Sequence, residues 1–442
     1  MRVDIKSKIE FKNVLQNIFN NKKIPILNGC SINSKNICKG DMFLPIKGSR
    51  FDGHDFIDEA IKNGAQLILT EKKIKDYPNV ISLHVKNIMD SIMTIASKWR
   101  INTNCEIIGI TGSNGKTSTK EILNRVISKS KKTMFSKGNY NSTIGLPISM
   151  FSISKDDDLC ILEMGANKSG EIKKLCKIAK PNHGLITNIS NAHNKYFGGI
   201  ENIAKNKLDL FKSLPNNGYA FINMDDDYLN KLSFKSNIIT YGFSGKYDFS
   251  GKFSDNFIQV NGSKIKLPYP SKAIAQNYLA TYSVSETFGI SPAQIIQVLE
   301  NSPIYSGRGE IVIKNNRKFI NDTYNANFSS CINGINAIVK ISARKRILVL
   351  GDMHELGDQT KSEHIKLGEA INALDIDAFF GLGKYIEFTL EKIDSKKIFT
   401  KHFNSKESLI NELNDYSNSN DIIYVKGSRS MKMEEIIYNE VD

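Results

Sequence analysis

No apolar run in this 442-residue chain approaches the ~20 residues that a membrane-spanning helix needs. A signal-peptide core is also missing: the opening stretch MRVDIKSKIEFKNVLQNIF is broken by charges throughout, so the chain is expected in the cytoplasm. The six cysteines lie far apart with no Cys-x-x-Cys pair. That argues against a zinc site or a disulfide framework, and they read as reduced and mostly buried. There is no low-complexity linker and no short-period repeat. Acidic residues are the minority, 46 against 60 Lys and Arg, for a net charge of +14. An excess of this kind raises the question of a nucleic-acid partner. The lysines are scattered, however, and Lys, Ile and Asn are abundant everywhere, so the excess reads as compositional bias. No nucleic acid is expected, whereas a basic balance suits an anionic substrate. A hydrophobic fraction of 40% is ordinary for a globular protein, and the length suggests about three domains.

One further absence is local. The stretch IIGITGSNGKTSTKE, Ile107 to Glu121, carries Gly-Lys-Thr but has Ile110 where the common phosphate-binding loop has its first glycine. The surroundings still suit an anion. Ile107, Ile108 and Ile110 form an apolar run of the kind a buried parallel strand requires. Thr111 to Gly115 is small and polar, and Ser118 to Lys131 reads as a helix. Backbone N–H groups at a helix start point at phosphate oxygens, and the helix dipole adds to the attraction. Gly112 and Gly115 permit close backbone approach. Lys116 is placed to neutralise terminal phosphates, and the Thr117 hydroxyl to ligate magnesium.

The fold class expected is α/β with three domains. Residues 1–102 mix short strands and helices as a smaller N-terminal α/β domain. Residues 103–306 alternate strand and helix, which argues for a central P-loop-type, mostly parallel sheet with helices on both faces. Within it, Tyr247 to Leu267 reads as short alternating strands, a hairpin appendage. Residues 307–442 form a second alternating unit, a Rossmann-like C-terminal α/β domain. Such folds place ligands at the C-terminal ends of their strands.

Several polar residues follow apolar strands. LCILEMG ends near Glu163, GLITNISNAH leads to His193, and IAKNKLDLF carries Lys207 and Asp209 on a helix. Singly, each has an ordinary reading: an exposed Glu, a satisfied His, a solvated Lys. Together, around a phosphate loop, they read as a magnesium site. In the last segment Arg308 is placed to reach phosphate across a domain cleft, and Asp322 ends an apolar strand. YVKGSRSMKMEE offers Lys426 and Arg429 as a second anion site or a surface basic cluster.

The strings ITGSNGKTSTKE, EMGANKSGEI, AHNKYFGGIENIAKNKLDLF, GRGEI, DTYNAN, GDMHELG and VKGSRSMKMEE, in this order, resemble the Mur ligase family over nearly the whole chain. The last two are most similar to the branch that adds D-alanyl-D-alanine to a UDP-N-acetylmuramoyl tripeptide. The family's loop is T-G-x-x-G-K-T, with no glycine at the Ile110 position. The resemblance implies two-step amide formation: ATP phosphorylates a carboxylate, and an amine displaces phosphate. It implies ATP and magnesium as cofactors and a monomer. Gly112, Ser113, Asn114, Gly115, Lys116, Thr117 and Ser118 would cradle ATP, Asn277 would contact adenine, and Arg308 and Asp322 would reach the nucleotide as the last domain closes. Thr117, Glu163, His193 and Lys207 would hold magnesium, with Lys207 carbamylated; Lys116, Lys207 and His193 would be catalytic. Ser34 and Lys35 would meet UDP, Asn139 and Asn141 the same substrate, and the C-terminal domain D-alanyl-D-alanine. The chain departs from the family pattern at Asn33-Ser34-Lys35, where Asp-Ser/Thr-Arg is usual, at Leu208-Asp209, Phe328 and Ser142. Lys35 lacks the planar fork of Arg. The Asp-Asn-Pro-Arg string expected of the enzyme adding the third peptide residue is absent.

Overall fold

The computed structural model describes residues 1–48, 51–191, 197–230 and 234–439. Among these residues the strands form three sheets, one after another along the chain. The first has β1 Arg2–Asp4, β2 Gly29–Ser31, β3 Asp41–Phe43, β4 Ala65–Thr70 and β5 Ile81–His84, adjacent in chain order. Only β1 runs antiparallel to its neighbour. The helix Ile88–Ile101 starts at Asn87, whose side chain accepts the Asp90 N–H. It buries Ile88, Ile92, Ile95, Ala96 and Trp99 on one stripe. That stripe packs on the helices Gly145–Met150 and Glu171–Ala179, so one apolar core runs from the first sheet into the second.

The central sheet has nine strands: β6 Glu106–Thr111, β7 Thr133–Phe135, β8 Leu159–Glu163, β9 His183–Ile186, β10 Tyr219–Asn223, β11 Asn237–Gly242, β12 Phe249–Ser254, β13 Phe257–Val260 and β14 Ser263–Lys266. Their order is β14-β13-β12-β11-β10-β9-β6-β8-β7. Pairing is parallel from β7 through β12 and antiparallel among β12, β13 and β14. The hairpin expected as an appendage is thus the continuing edge of the sheet, joined through Tyr241↔Phe249 and Gly242↔Ser250. Ile258, Val260 and Ile265 are buried there in the core shared with the helices Lys272–Thr287 and Pro292–Asn301, which is why the strands stay attached. The expected buried strand at Ile107–Ile110 is β6, flanked by β8 and β9 where the strand order reverses. A ligand crevice opens at such a switch point.

The third sheet has β15 Glu310–Lys314, β16 Arg317–Asn321, β17 Arg346–Gly351, β18 Ala378–Leu382, β19 Phe399–Phe403 and β20 Ile422–Lys426, in the order β15-β16-β20-β17-β18-β19. The β15–β16 hairpin turns through Asn315 and Asn316, both at positive φ (50° and 57°), as a two-residue turn between twisted strands demands. The other pairings are parallel. Residues following β6, β8, β16, β17 and β20 line one cleft between the second and third sheets.

Candidate active site

The loop between β6 and the helix Lys116–Ile127 forms the floor of the cleft, a space of about 660 Å³. Gly115 is the helix N-cap, with φ at 81° in the left-handed region. A Cβ there would lie 2.5 Å from Asn277 Oδ1. The helix therefore begins at Lys116, two residues before the sequence-based start, because Gly115 makes the turn.

Two lysines converge on this loop, Lys207 buried and Lys116 half-buried. Lys116 Nζ donates to the carbonyls of Gly112 (2.8 Å) and Ser113 (3.1 Å). Lys207 Nζ donates to the same Gly112 oxygen at 2.9 Å. Lys207 is buried on the helix Ile200–Lys212 together with Ile203 and Leu210, the i, i+4, i+7 face. Burial lowers the Lys116 ammonium to about 8, opposed by Glu163 and reinforced by Arg308. Burial, and then the charge of Lys116, push Lys207 well below the usual lysine range.

Glu163, at the end of β8, is buried. Its Oε1 accepts from Asn141 Nδ2 at 2.7 Å, while Oε2 has no hydrogen-bond donor and stands 3.7 Å from Lys120 Nζ. From the third sheet's side, Arg308 Nη2 donates to Thr117 Oγ1 at 3.0 Å, and its guanidinium lies 3.5 Å from the centroid of the Tyr324 ring. Asn327 Nδ2 donates to Asn114 Oδ1 at 2.9 Å. Asp322 Oδ2 accepts from Lys426 Nζ (2.6 Å) and Tyr424 Oη (2.7 Å). Asn277 Oδ1 accepts from Thr119 Oγ1 at 3.2 Å.

Of the residues singled out by sequence, Ser113–Ser118, Asn139, Asn141, Glu163, Lys207, Asn277, Arg308, Asp322, Lys426 and Arg429 all line this cleft. Gly112 closes its floor through the carbonyl that both lysines share. Ser34 and Lys35 are not on its wall. They sit in the short 3-10 turn Ser34–Asn36 of the N-terminal unit, where Ser34 Oγ donates to Glu59. His193 lies outside the described residues. Sequence reading missed Lys120, Tyr324 and Asn327. Lys120 lies within ITGSNGKTSTKE, and Tyr324 and Asn327 within DTYNAN, the string in which only Asp322 was given a role.

No group of three or more His, Cys, Asp or Glu side chains stands together for a metal among the described residues. Magnesium needs no such cage, since it commonly takes one or two carboxylates plus phosphate oxygens and water. The buried Glu163 Oε2, which no hydrogen-bond donor reaches, fits that habit.

The Mur ligase family, catalytic domain, matches residues 27–97; the Mur ligase middle domain matches 110–285; the Mur ligase, glutamate ligase domain, matches 307–429. The UDP-N-acetylmuramoyl-tripeptide--D-alanyl-D-alanine ligase of Rickettsia prowazekii is 31% identical over 426 residues, 93% of this chain and 94% of its own. The chain belongs to the Mur ligase family. Among solved structures, this Mur ligase superposes on MurF from Acinetobacter baumannii with a TM-score of 0.86 at 27% identity, covering 97% of this chain and 98% of that one. MurF ligase from Thermotoga maritima in complex with ADP gives 0.82 at 30% identity, covering 92% and 96%. In this Mur ligase no helix among the described residues is long and apolar enough to cross a membrane.

Proposed function

We propose that the cleft between the second and third sheets is where ATP, the tripeptide carboxylate and the incoming amine meet. The chain is an ATP-dependent ligase that adds D-alanyl-D-alanine to UDP-N-acetylmuramoyl-tripeptide in peptidoglycan synthesis. The observation that carries this is similarity to ligases of that name over nearly the whole length of both chains.

The chemistry explains the cleft. A carboxylate is a poor acyl donor because oxide is a poor leaving group. Transfer of the γ-phosphoryl group of ATP gives an acyl phosphate and ADP; the amine of D-alanyl-D-alanine then attacks the acyl carbon, phosphate leaves, and the ammonium proton is lost. Two anions must first be gathered against their mutual repulsion, which calls for a cationic site with aligned N–H groups. In our reading Gly112–Ser118 cradle the phosphates, with Lys116 on the transferring group. Asn277 meets adenine, and Arg308 and Asp322 meet the nucleotide. Asn139 and Asn141 face the tripeptide, Ser34 and Lys35 the UDP moiety, and the C-terminal unit, residues 307–442, holds D-alanyl-D-alanine. Thr117 and Glu163, with His193, would hold magnesium, which when bound stabilises charge on the transferring phosphoryl group.

Lys207 carries a carbamate in this reading. The neutral amine attacks carbon dioxide and loses a proton, giving an oxygen-rich group suited to a hard cation. Burial among apolar residues, with Lys116 beside it, favours the neutral amine that this step requires. In this reading the ligase works as a monomer in the cytoplasm.

The test is phosphate release from ATP with UDP-N-acetylmuramoyl-tripeptide, with and without D-alanyl-D-alanine. Turnover requiring both is expected; robust release with neither refutes a ligase.

A further inference from the structure

Lys120 lies one helical turn beyond Lys116 and is fully buried. Its ammonium donates to the carbonyls of Ser136 (2.6 Å) and Gly138 (2.8 Å), and it stands 3.1 Å from Glu121 Oε1 and 3.7 Å from Glu163 Oε2. An ammonium costs several kcal/mol to bury unless its surroundings compensate it. Here three oxygens lie within 3.1 Å of it.

The segment it grips leads directly to the cleft. Ser136 Oγ accepts the Glu163 N–H at 3.0 Å, and Asn141 Nδ2 donates to Glu163 Oε1 at 2.7 Å. Residues 136–141 are thus laced to the end of β8 at both ends, with Lys120 between. Gly138 has φ at 54°, and no heavy atom lies within 4 Å of where its Cβ would be. Gly138 is open on that side, and the Lys120 ammonium ties its carbonyl and that of Ser136 to the helix. Asn139, Asn141 and Glu163 line the cleft, but Lys120 does not.

We propose that Lys120 is a positioning residue for the tripeptide substrate: by pinning the Ser136–Gly138 turn beside Glu163 it sets where Asn139 and Asn141 stand in the cleft. Its ammonium makes no hydrogen bond to the glycine loop, and its approach to the proposed magnesium ligand Glu163 is 3.7 Å, to Oε2. The inference rests on the reading of Asn139 and Asn141 as tripeptide contacts, and the experiment separates the two.

Calorimetric titrations compare wild type, Lys120→Met, Asn141→Ala and the double variant. Each is titrated with a non-hydrolysable ATP analogue, and then, saturated with it, with UDP-N-acetylmuramoyl-tripeptide. Lys120→Met removes the two charge-assisted bonds to the turn and is expected to weaken tripeptide binding about tenfold, while nucleotide affinity changes by less than about threefold. The double variant should lose less than the sum of the two single losses, because both act on one segment. An Asn141→Ala protein with unchanged tripeptide affinity overturns the reading of the asparagine and the inference built on it. Weakening by Asn141→Ala but not by Lys120→Met overturns the role of Lys120 alone, as does an equal loss of nucleotide and tripeptide. Should Lys120→Met not fold, Ser136→Ala keeps the lysine and cuts a neighbouring tie. Unchanged tripeptide affinity there overturns the proposal, and a selective loss of about threefold supports it.

Discussion

Replacing Lys116 with methionine separates what this residue costs the fold from what it gives the reaction. Burial brings its ammonium from 10.5 down to about 8. A lysine whose folded value lies below its unfolded one binds its proton more weakly in the folded chain, so protonation favours unfolding. The penalty is complete below about pH 8, fades between the two values, and is gone above the upper one. The gap corresponds to about 3 kcal/mol, and to about 2 kcal/mol once water at the cleft edge is allowed for. Methionine removes the penalty but takes a donor from the Gly112 and Ser113 carbonyls, at a cost of about 1 kcal/mol. Lys116→Met should therefore be about 1 kcal/mol more stable than wild type near pH 7, and about as much less stable near pH 10.5. Its turnover should fall at least a hundredfold, since one contact to a transferring phosphoryl group is worth about 3 kcal/mol. Urea unfolding across this pH range, in bicarbonate-free buffer so that Lys207 stays an amine, gives the first quantity; phosphate release gives the second. Parallel stability curves for the two proteins would refute the electrostatic reasoning. A folded variant with wild-type turnover would refute the catalytic assignment.

Lys207→Ala should be nearly inactive, and small carboxylic acids that fill the vacated space should restore part of its turnover; a normal rate in the unrescued variant makes Lys207 an ordinary buried lysine. Gly115→Ala places a methyl group 2.5 Å from Asn277 Oδ1 at a left-handed residue, so ATP-analogue affinity should drop about tenfold or more, read by fluorescence titration. Arg308→Lys keeps the charge but loses the planar contact with Tyr324 and the fork toward Thr117, and kcat/KM for ATP should fall about tenfold; an unchanged value would show that a point charge suffices.

The cradle was legible because its signals are local. An apolar run, a small polar turn and a helix start lie within fifteen consecutive residues, Ile107 to Glu121, and the structure builds strand, loop and helix there. The alternation of strands and helices likewise announced the parallel sheets. What escaped was set by distance along the chain. The Tyr247–Leu267 stretch has hairpin periodicity whether or not its first strand pairs with β11, and only the register Tyr241↔Phe249 decides that it does. Asn114 and Asn327 meet across 213 positions, and no local pattern marks either asparagine as the other's partner. Lys120 shares the buried helix face of Leu123 and Ile127, but its oxygen partners come from residues 136 and 138, which no helical periodicity names.

The position of β6 has a consequence for the chain during synthesis. Its two neighbours are residues 159–163 and 183–186, Lys207 arrives later, and the contacts on Thr117 and Asn114 come from Arg308 and Asn327. A chain emerging from its N-terminus carries the glycine loop long before it carries the walls around it. Pairings between distant segments form slowly, because loop closure precedes any gain from contact. A nascent chain halted before Arg308 holds the loop's letters without its assembled site. The ties that Arg308 and Asn327 make to the glycine loop are thereby a property of finished molecules.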